Sequence, residues 1–411
     1  MANSANRLVR MLDELGRVTD EPGRLTRTFL SPAMKRANAL VAGWMKEAGL
    51  KVRVDSVGNL IGRIEGTKRS AKTLLLGSHL DTVRDAGRLD GPLGVLLPIV
   101  ALNELKCRGV SLPFAVEVLG FSEEEGVRFA SAYLGSEGYT GRLKPATLQL
   151  RDADGISVSE TLKKFNGGKF SLPKAAHKPG DLLGYIEVHL EQGPVLEAKK
   201  LAVGVVSAIA GQSRFKLTWT GKAGHAGTTP MTLRRDALAG AAEFIAGIES
   251  IAQRAPDLVA TVGALTVSPG AANVIPGEVI HTLDVRHAKD SARRSALMQI
   301  GRLATQIASR RGLQRRWQRT QENGAVNCSP NLTTSLARSV QAVQGKNLSL
   351  VSGAGHDGVV MSTLTQVAML FVRCRAGLSH HPDEYASLKD LEVALRVMIG
   401  FLERLAGERR G

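Results

Sequence analysis

The sequence is poor in cysteine, in long apolar runs and in acidic charge, and each shortage closes off a class of protein. Only three cysteines occur, Cys107, Cys328 and Cys374, with no C-x-x-C pair among them. That argues against a disulfide framework and a thiolate metal site, and it suits a reducing cytoplasm. The longest apolar stretch, Leu93 to Leu102, is interrupted by Pro98 and is too short to span a bilayer. The opening segment, "MANSANRLVRMLDELGRV", sets Leu8, Met11, Leu12 and Leu15 at helical spacing. This is an amphipathic helix and not a signal peptide, so no membrane partner is expected and the location expected is cytoplasmic. Neither a low-complexity tract nor a repeat of solenoid period occurs.

Acidic residues number 38 against 54 Lys and Arg, a formal net charge of +16. Such a surplus suits nucleic acid, an anionic surface or attraction of an anionic substrate. The densest basic run, "SRRGLQRRWQR" from Ser309 to Arg319, matches no nucleic-acid module and reads as a solvated helix end followed by a strand. A basic nucleic-acid-binding protein is therefore the remote reading. The 411 residues are 43% hydrophobic and 22% charged, ordinary for a globular chain long enough for two cores.

From Arg36 to Leu134 helical and strand patterns alternate, which implies an α/β layered sheet. "RANALVAGWMKEAGL" reads as a helix, "KVRVDSVGNLIGRI" as a hairpin, "TLLLG" and "PFAVEVLGFS" as buried strands. A different texture starts near Gly211. "SRFKLTWTG" is a strand, Thr232 to Arg254 a long helix, and "LVATVGALTV" and "EVIHTLDVRH" two strands. "SARRSALMQIGRLATQIASRRG" is a second helix and "LQRRWQRT" a last strand. That β-α-β-β-α-β order fills one ferredoxin-like α+β unit. The fold expected is a two-domain, mixed-sheet α/β protein: residues 1–210 and 327–411 form one domain, and 211–326 are inserted into it.

Polar clusters sit where the strands of the split domain end, the usual ligand edge of an open α/β sheet. "GSHLDTVRDAGRLDGPLGVL" carries His79, Asp81 and Asp90 after a buried strand. "GFSEEEGVRF" carries Glu123, Glu124 and Glu125, which repel one another unless a cation neutralises them. "GYIEVHLEQGPVLE" ends a strand with His189, "AGLSHHPDEYASL" supplies His380 and His381, and "SGAGHDG" supplies His356 and Asp357. Each alone could be a cap or a satisfied core residue. Together, histidine and carboxylate without cysteine suit Zn²⁺, Mn²⁺, Co²⁺ or Ni²⁺. A bridging carboxylate can hold two such ions about 3.5–4 Å apart, and adjacent Glu124 and Glu125 offer one base and one ligand. The residues themselves point to a metal-dependent hydrolase.

These motifs, with "GHAGTTPM", "NVIPG" and "LDVR" in the same order, resemble the hydantoinase/carbamoylase-type amidases of the aminoacylase/carboxypeptidase-like metallopeptidase superfamily. Allantoate amidohydrolases and N-carbamoyl-L-amino-acid hydrolases belong to that family. The resemblance implies two divalent ions per subunit, one on His79 and His189, the other on Glu125 and His380, with Asp90 bridging. Asp81 would orient the His79 imidazole, and Glu124 would be the general base. In "SHHP", His381 stands where relatives often carry a small polar residue, and it is the alternative to His380. His225 would stabilise the oxyanion across a dimer contact made by the inserted lid domain. Gln212, Asn273 and Arg286 match substrate-holding positions, Arg286 as a carboxylate clamp. From the residues alone, His225 could be a hairpin-turn histidine, Asn273 a turn residue and Arg286 half of a surface salt bridge.

The activity implied is hydrolysis of the carbamoyl C–N bond of a small anionic ureido acid, such as an N-carbamoyl-L-amino acid or allantoate, releasing ammonia and carbon dioxide. An aminoacylase or dipeptidase on the same scaffold is the alternative. His189 speaks against it, because those relatives usually place a carboxylate at that position.

Overall fold

The computed structural model describes residues 2–68 and 71–408. The chain divides into two compact units, one formed by residues up to Ser207 and again from Cys328, the other by Ala208–Asn327.

The first unit is built on a mixed sheet. Its strands lie in the order Lys51–Val54, Leu60–Ile64, Ala115–Phe121, Thr73–His79, Leu182–Leu190, Val367–Val372 and Val203–Ile209. The four central strands run parallel, and their outer neighbours run antiparallel to them. Every residue of Thr73–His79, Ala115–Phe121 and Val367–Val372 is buried. Strands covered on both faces carry unbroken apolar runs, which is why "TLLLG" and "VAMLFV" show no alternation. The helix Pro92–Cys107 is apolar around almost its whole circumference for the same reason, and it keeps Pro98 inside. Leu8 and Leu12 of the first helix, Val41, Leu96, Leu370 and Leu402 share one core. Truncating fully buried Leu96 to alanine would cost about 3 kcal/mol.

Parallel order has a functional consequence. Thr73–His79, Ala115–Phe121, Leu182–Leu190 and Val367–Val372 all end at the same edge of the sheet. The polar segments that follow them therefore emerge side by side.

The second unit pairs strands in the order Leu265–Ser268, Glu278–His287, Gly211–Thr220, Gln314–Asn323, all antiparallel. Two helices, Ala237–Arg254 and Asp290–Arg311, cover one face, where Leu217, Trp219, Phe244, Leu283 and Ile300 form a separate core. Buried Trp219 donates its indole N–H to His281 Nε2 at 3.0 Å. Two details differ from the sequence reading. The helix expected from Thr232 starts at Ala237, because Asp236 caps it by accepting from the Ala239 N–H at 3.0 Å. Residues 231–233 form a separate 3₁₀ turn after Pro230. "LVATVGALTV" splits into Val259–Thr261 and Leu265–Ser268, both paired with Glu278–His287.

Among the described residues no helix is long and apolar enough to cross a membrane. All three cysteines are unpaired thiols.

Candidate metal centre and active site

Four chain segments meet at the carboxyl edge of the central strands. His79 is the last residue of its strand, and its Nδ1 faces the Asp81 main-chain carbonyl at 3.0 Å and the Asp81 carboxylate at 3.4 Å. With Nδ1 as the donor, Nε2 is left as the ligand atom. The Asp81 carboxylate also accepts from the Glu124 N–H at 3.0 Å and the Glu125 N–H at 3.1 Å. One carboxylate thus aligns the first histidine and the acidic segment together. His189 turns its Nδ1 to the Leu190 carbonyl at 3.1 Å and its Nε2 to Asp90 Oδ1 at 3.5 Å. His380 Nε2 lies 3.2 Å from Asp90 Oδ2 and 3.3 Å from Glu125 Oε1.

Asp90 therefore stands between two clusters. His79, Asp90 and His189 have ligand atoms mutually within 4.8 Å, and so have Asp90, Glu125 and His380. A third such group joins His79 to Glu124 and Glu125. Gly91 makes the approach feasible: at φ +80° it packs against the His79 ring, where a Cβ would overlap the imidazole. His380 holds a left-handed backbone at φ +57°, a costly conformation for a side chain of that size. His381 points elsewhere: its Nδ1 accepts from the Asp383 N–H at 3.1 Å, and it joins no ligand cluster among the described residues.

The electrostatics are those of a site with too much negative charge. Burial, then the charge of Glu125, pushes the Glu124 carboxyl well above the usual carboxylate range. Burial raises Glu125 as well, and raises Glu123 with help from Asp81. For Asp90, burial is outweighed by His189, His380 and His79, and its carboxyl falls well below the usual range. Hydrogen bonds to Asp90 and Glu125 lift the His380 imidazole to about 10. Glu123 Oε2 is buried without any hydrogen-bond partner, and buried Glu125 Oε1 faces the His380 imidazole at 3.3 Å. Crowded buried carboxylates beside three imidazoles fit divalent cations, whose charge would compensate the desolvation cost.

Several residues that hold this arrangement carried no assigned role in the sequence. Buried Glu384 accepts from the Leu89 N–H at 2.8 Å, the Asp90 N–H at 3.1 Å and the Ser379 hydroxyl at 2.8 Å. It ties the loop of His380 to the turn of Asp90. Gln192 donates to Asp90 Oδ1 at 2.8 Å. Both lie in quoted motifs, "HLEQGP" and "HHPDEY", so adjacency to the histidines was the available signal. His356 is buried against His189, with ring centroids 4.5 Å apart, and its Nε2 bonds Ser352 at 2.7 Å. It belongs to no ligand cluster among the described residues.

In the second unit, Gln212 and Arg286 are cross-strand partners. Arg286 forms a two-pronged pair with Asp284, at 3.0 and 2.9 Å. Gln212 and Arg214 each reach the same carboxylate at 2.7 Å. His225 is exposed on a two-residue strand paired with Val274–Ile275, and its Nδ1 accepts from the Gly227 N–H at 3.0 Å. Its Nε2 is thereby the donor. Exposed Asn273 is beside it, its carbonyl accepting from the Ala226 N–H at 2.9 Å.

A model of Peptidase family M20/M25/M40 matches residues 75–404. "Allantoate deiminase 2" of Glycine max is 40% identical, covering 97% of this chain and 89% of the relative. "N-carbamoyl-L-amino acid amidohydrolase" of Geobacillus stearothermophilus is 42% identical, covering 97% and 98%. Among solved structures, an amidase of the hydantoinase/carbamoylase family from Burkholderia multivorans superposes with a TM-score of 0.91 at 32% identity, over 97% of each chain.

Proposed function

The chain belongs to peptidase family M20/M25/M40, a family of hydrolytic enzymes, and from that premise we propose that it hydrolyses the carbamoyl C–N bond of a small ureido acid. The observation that carries this reading is the pairing of two ligand clusters through Asp90, with Glu124 alongside. His79, Asp90 and His189 would hold one divalent ion, and Asp90, Glu125 and His380 the other. When bound, the ions supply Lewis acidity to the carbonyl and acidity to water. Glu124 would take the proton of the attacking water and return it to the departing nitrogen. Asp81 keeps His79 and the Glu124–Glu125 segment in register. Arg286, with Gln212, would bind the substrate carboxylate; His225 and Asn273 would face the reacting group. Unpaired thiols suit a cytoplasmic setting.

The working unit is a homodimer. Arg286 and Gln212 lie at one end of their strands, and the ribbon of His225 and Asn273 leaves from the other end, near Glu278 and Thr220. Eight residues of extended chain separate the two levels, about 26 Å along the strand. A ureido acid a few atoms long would need the two sets from different chains. Met231 and Leu233, 75% and 72% exposed, follow His225 in the same loop and suit burial against a second copy. Ammonia release from N-carbamoyl amino acids, allantoate and ureidoglycolate, with enzyme reconstituted in Zn²⁺, Mn²⁺, Co²⁺ or Ni²⁺, tests the reading. Hydrolysis of acylated amino acids or dipeptides alone would replace it.

A further inference from the structure

We propose that Tyr133 is a further catalytic residue, whose phenol donates a hydrogen bond to the reacting carbamoyl group beside Glu124; the inference rests on the function proposed above. Tyr133 holds a left-handed backbone, φ 72° and ψ 18°, at the start of the short helix Leu134–Tyr139. A ring-bearing residue in that region costs on the order of 1–3 kcal/mol, and such strain is retained where the surroundings enforce it. Here the Tyr133 N–H is bound to the Glu124 carbonyl at 3.2 Å, and its own carbonyl accepts from the Glu137 N–H at 2.8 Å. The Tyr133 backbone is thus tied to that of the residue that would serve as base.

Its hydroxyl differs from those of the two fully buried tyrosines. Tyr139 donates to Glu117 at 2.8 Å and Tyr185 to the Gly77 carbonyl at 2.9 Å. The Tyr133 hydroxyl is in no hydrogen bond among the described residues, yet it is not one of the sealed, unpartnered atoms. Its donor is unspent within the chain.

Gly355 shows what the hydroxyl packs against. A Cβ built at 355 would overlap the Tyr133 hydroxyl, while staying 3.4 Å from Cζ of the same ring and 4.0 Å from Glu124 Oε1. The hydroxyl thus packs against the bare backbone of Gly355, on the side from which that glycine also faces the Glu124 carboxylate, an approach that a side chain at 355 would block. Burial, then Glu124 and Asp357, pushes the phenol far above its ordinary pKa, so it stays a donor. No bond to the tyrosine proton breaks. The hydrogen bond strengthens as negative charge develops on the carbamoyl oxygen and relaxes when the C–N bond is broken.

The test is a double-mutant cycle of Tyr133→Phe and Gly355→Ala. Phe at 133 should lower kcat by about tenfold or more, with KM within about threefold, and with parental metal content and thermal midpoint. Ala at 355 should lower kcat similarly by displacing the hydroxyl, and the double variant should be no worse than the poorer single. Parental kcat in Tyr133→Phe overturns the inference. So does a loss confined to metal content or stability, or full additivity of the two changes. If the parent cleaves an acylated amino acid and no ureido acid, the functional reading fails by itself, and the same cycle on that substrate still decides the role of Tyr133.

Discussion

The two units treat carboxylates in opposite ways. In the first, Asp81, Asp90, Glu123, Glu124 and Glu125 crowd one sheet edge, and burial raises the pKa of all three glutamates. In the second, the single carboxylate of Asp284 receives two guanidinium groups and an amide, and for all its burial its pKa is lowered by Arg286, Arg214 and Gln212. One region carries surplus negative charge, the other surplus positive charge. Cations would complete the first kind of site, and the anionic substrate group proposed above would meet the second. The net charge of +16 does not reveal this, since it averages over both.

The comparison breaks most completely at Asp90. Asp90→Ala removes the carboxylate common to both ligand clusters, so activity should vanish and bound metal should fall to one ion or none per chain. Elemental analysis of the folded variant decides it. Two ions retained would mean that the surplus charge is not organised around Asp90.

Next in size is Glu124→Gln, which keeps the volume and removes the proton acceptor. The rate should fall by at least ~10²-fold while metal content stays parental. Glu125→Ala should do the reverse in one respect, losing metal together with activity. Exchanged metal contents in these two variants would exchange the two roles.

How far these sites could be read beforehand depended on the distance over which each feature is determined. His79, Glu124, Glu125 and His189 stand directly after apolar runs, and a buried parallel strand can end in little else than a loop or a site. Their grouping was legible from local pattern. Glu384 was not, because its partners Leu89 and Asp90 lie some 295 residues away in sequence and only the closed fold brings them within 3.1 Å. Tyr133 was hidden for a similar reason: nothing in "ASAYLGSEG" announces a left-handed tyrosine facing a distant glycine. In the second unit the strand order was legible from alternation. The helix start was misplaced, since Thr232 and Leu233 continue an apolar spacing that Pro230 and the Asp236 cap interrupt.

A third experiment joins the two kinds of site. His225→Ala and Glu124→Gln subunits should each be inactive, and a mixture should regain activity. In the heterodimer proposed above, Glu124 of one chain would meet His225 of the other, leaving one intact and one doubly damaged site. At equal mixing about half the dimers are mixed, so total activity should approach about a quarter of the parental value. No recovery after verified subunit exchange would place His225 over its own chain's site.

The smallest expected effect is at the positive region. Arg286→Lys keeps the charge but loses the planar fork that now pairs with Asp284 through Nε and Nη2. A lysine can satisfy one oxygen at a time, so a carboxylate ligand loses one charge-assisted hydrogen bond. The cost should appear mainly in KM, as a rise of roughly tenfold, because holding the carboxylate serves ground state and transition state alike. Metal content should not move, since all the proposed ligands lie on the other unit. The parent enzyme should also discriminate strongly against the carboxamide of its substrate, and Arg286→Lys should narrow that difference without abolishing it. Equal kcat/KM for carboxylate and carboxamide in the parent would mean that the surplus positive charge of this unit is structural. The strand pair of Gln212 and Arg286 would then serve to pair Asp284 and nothing more.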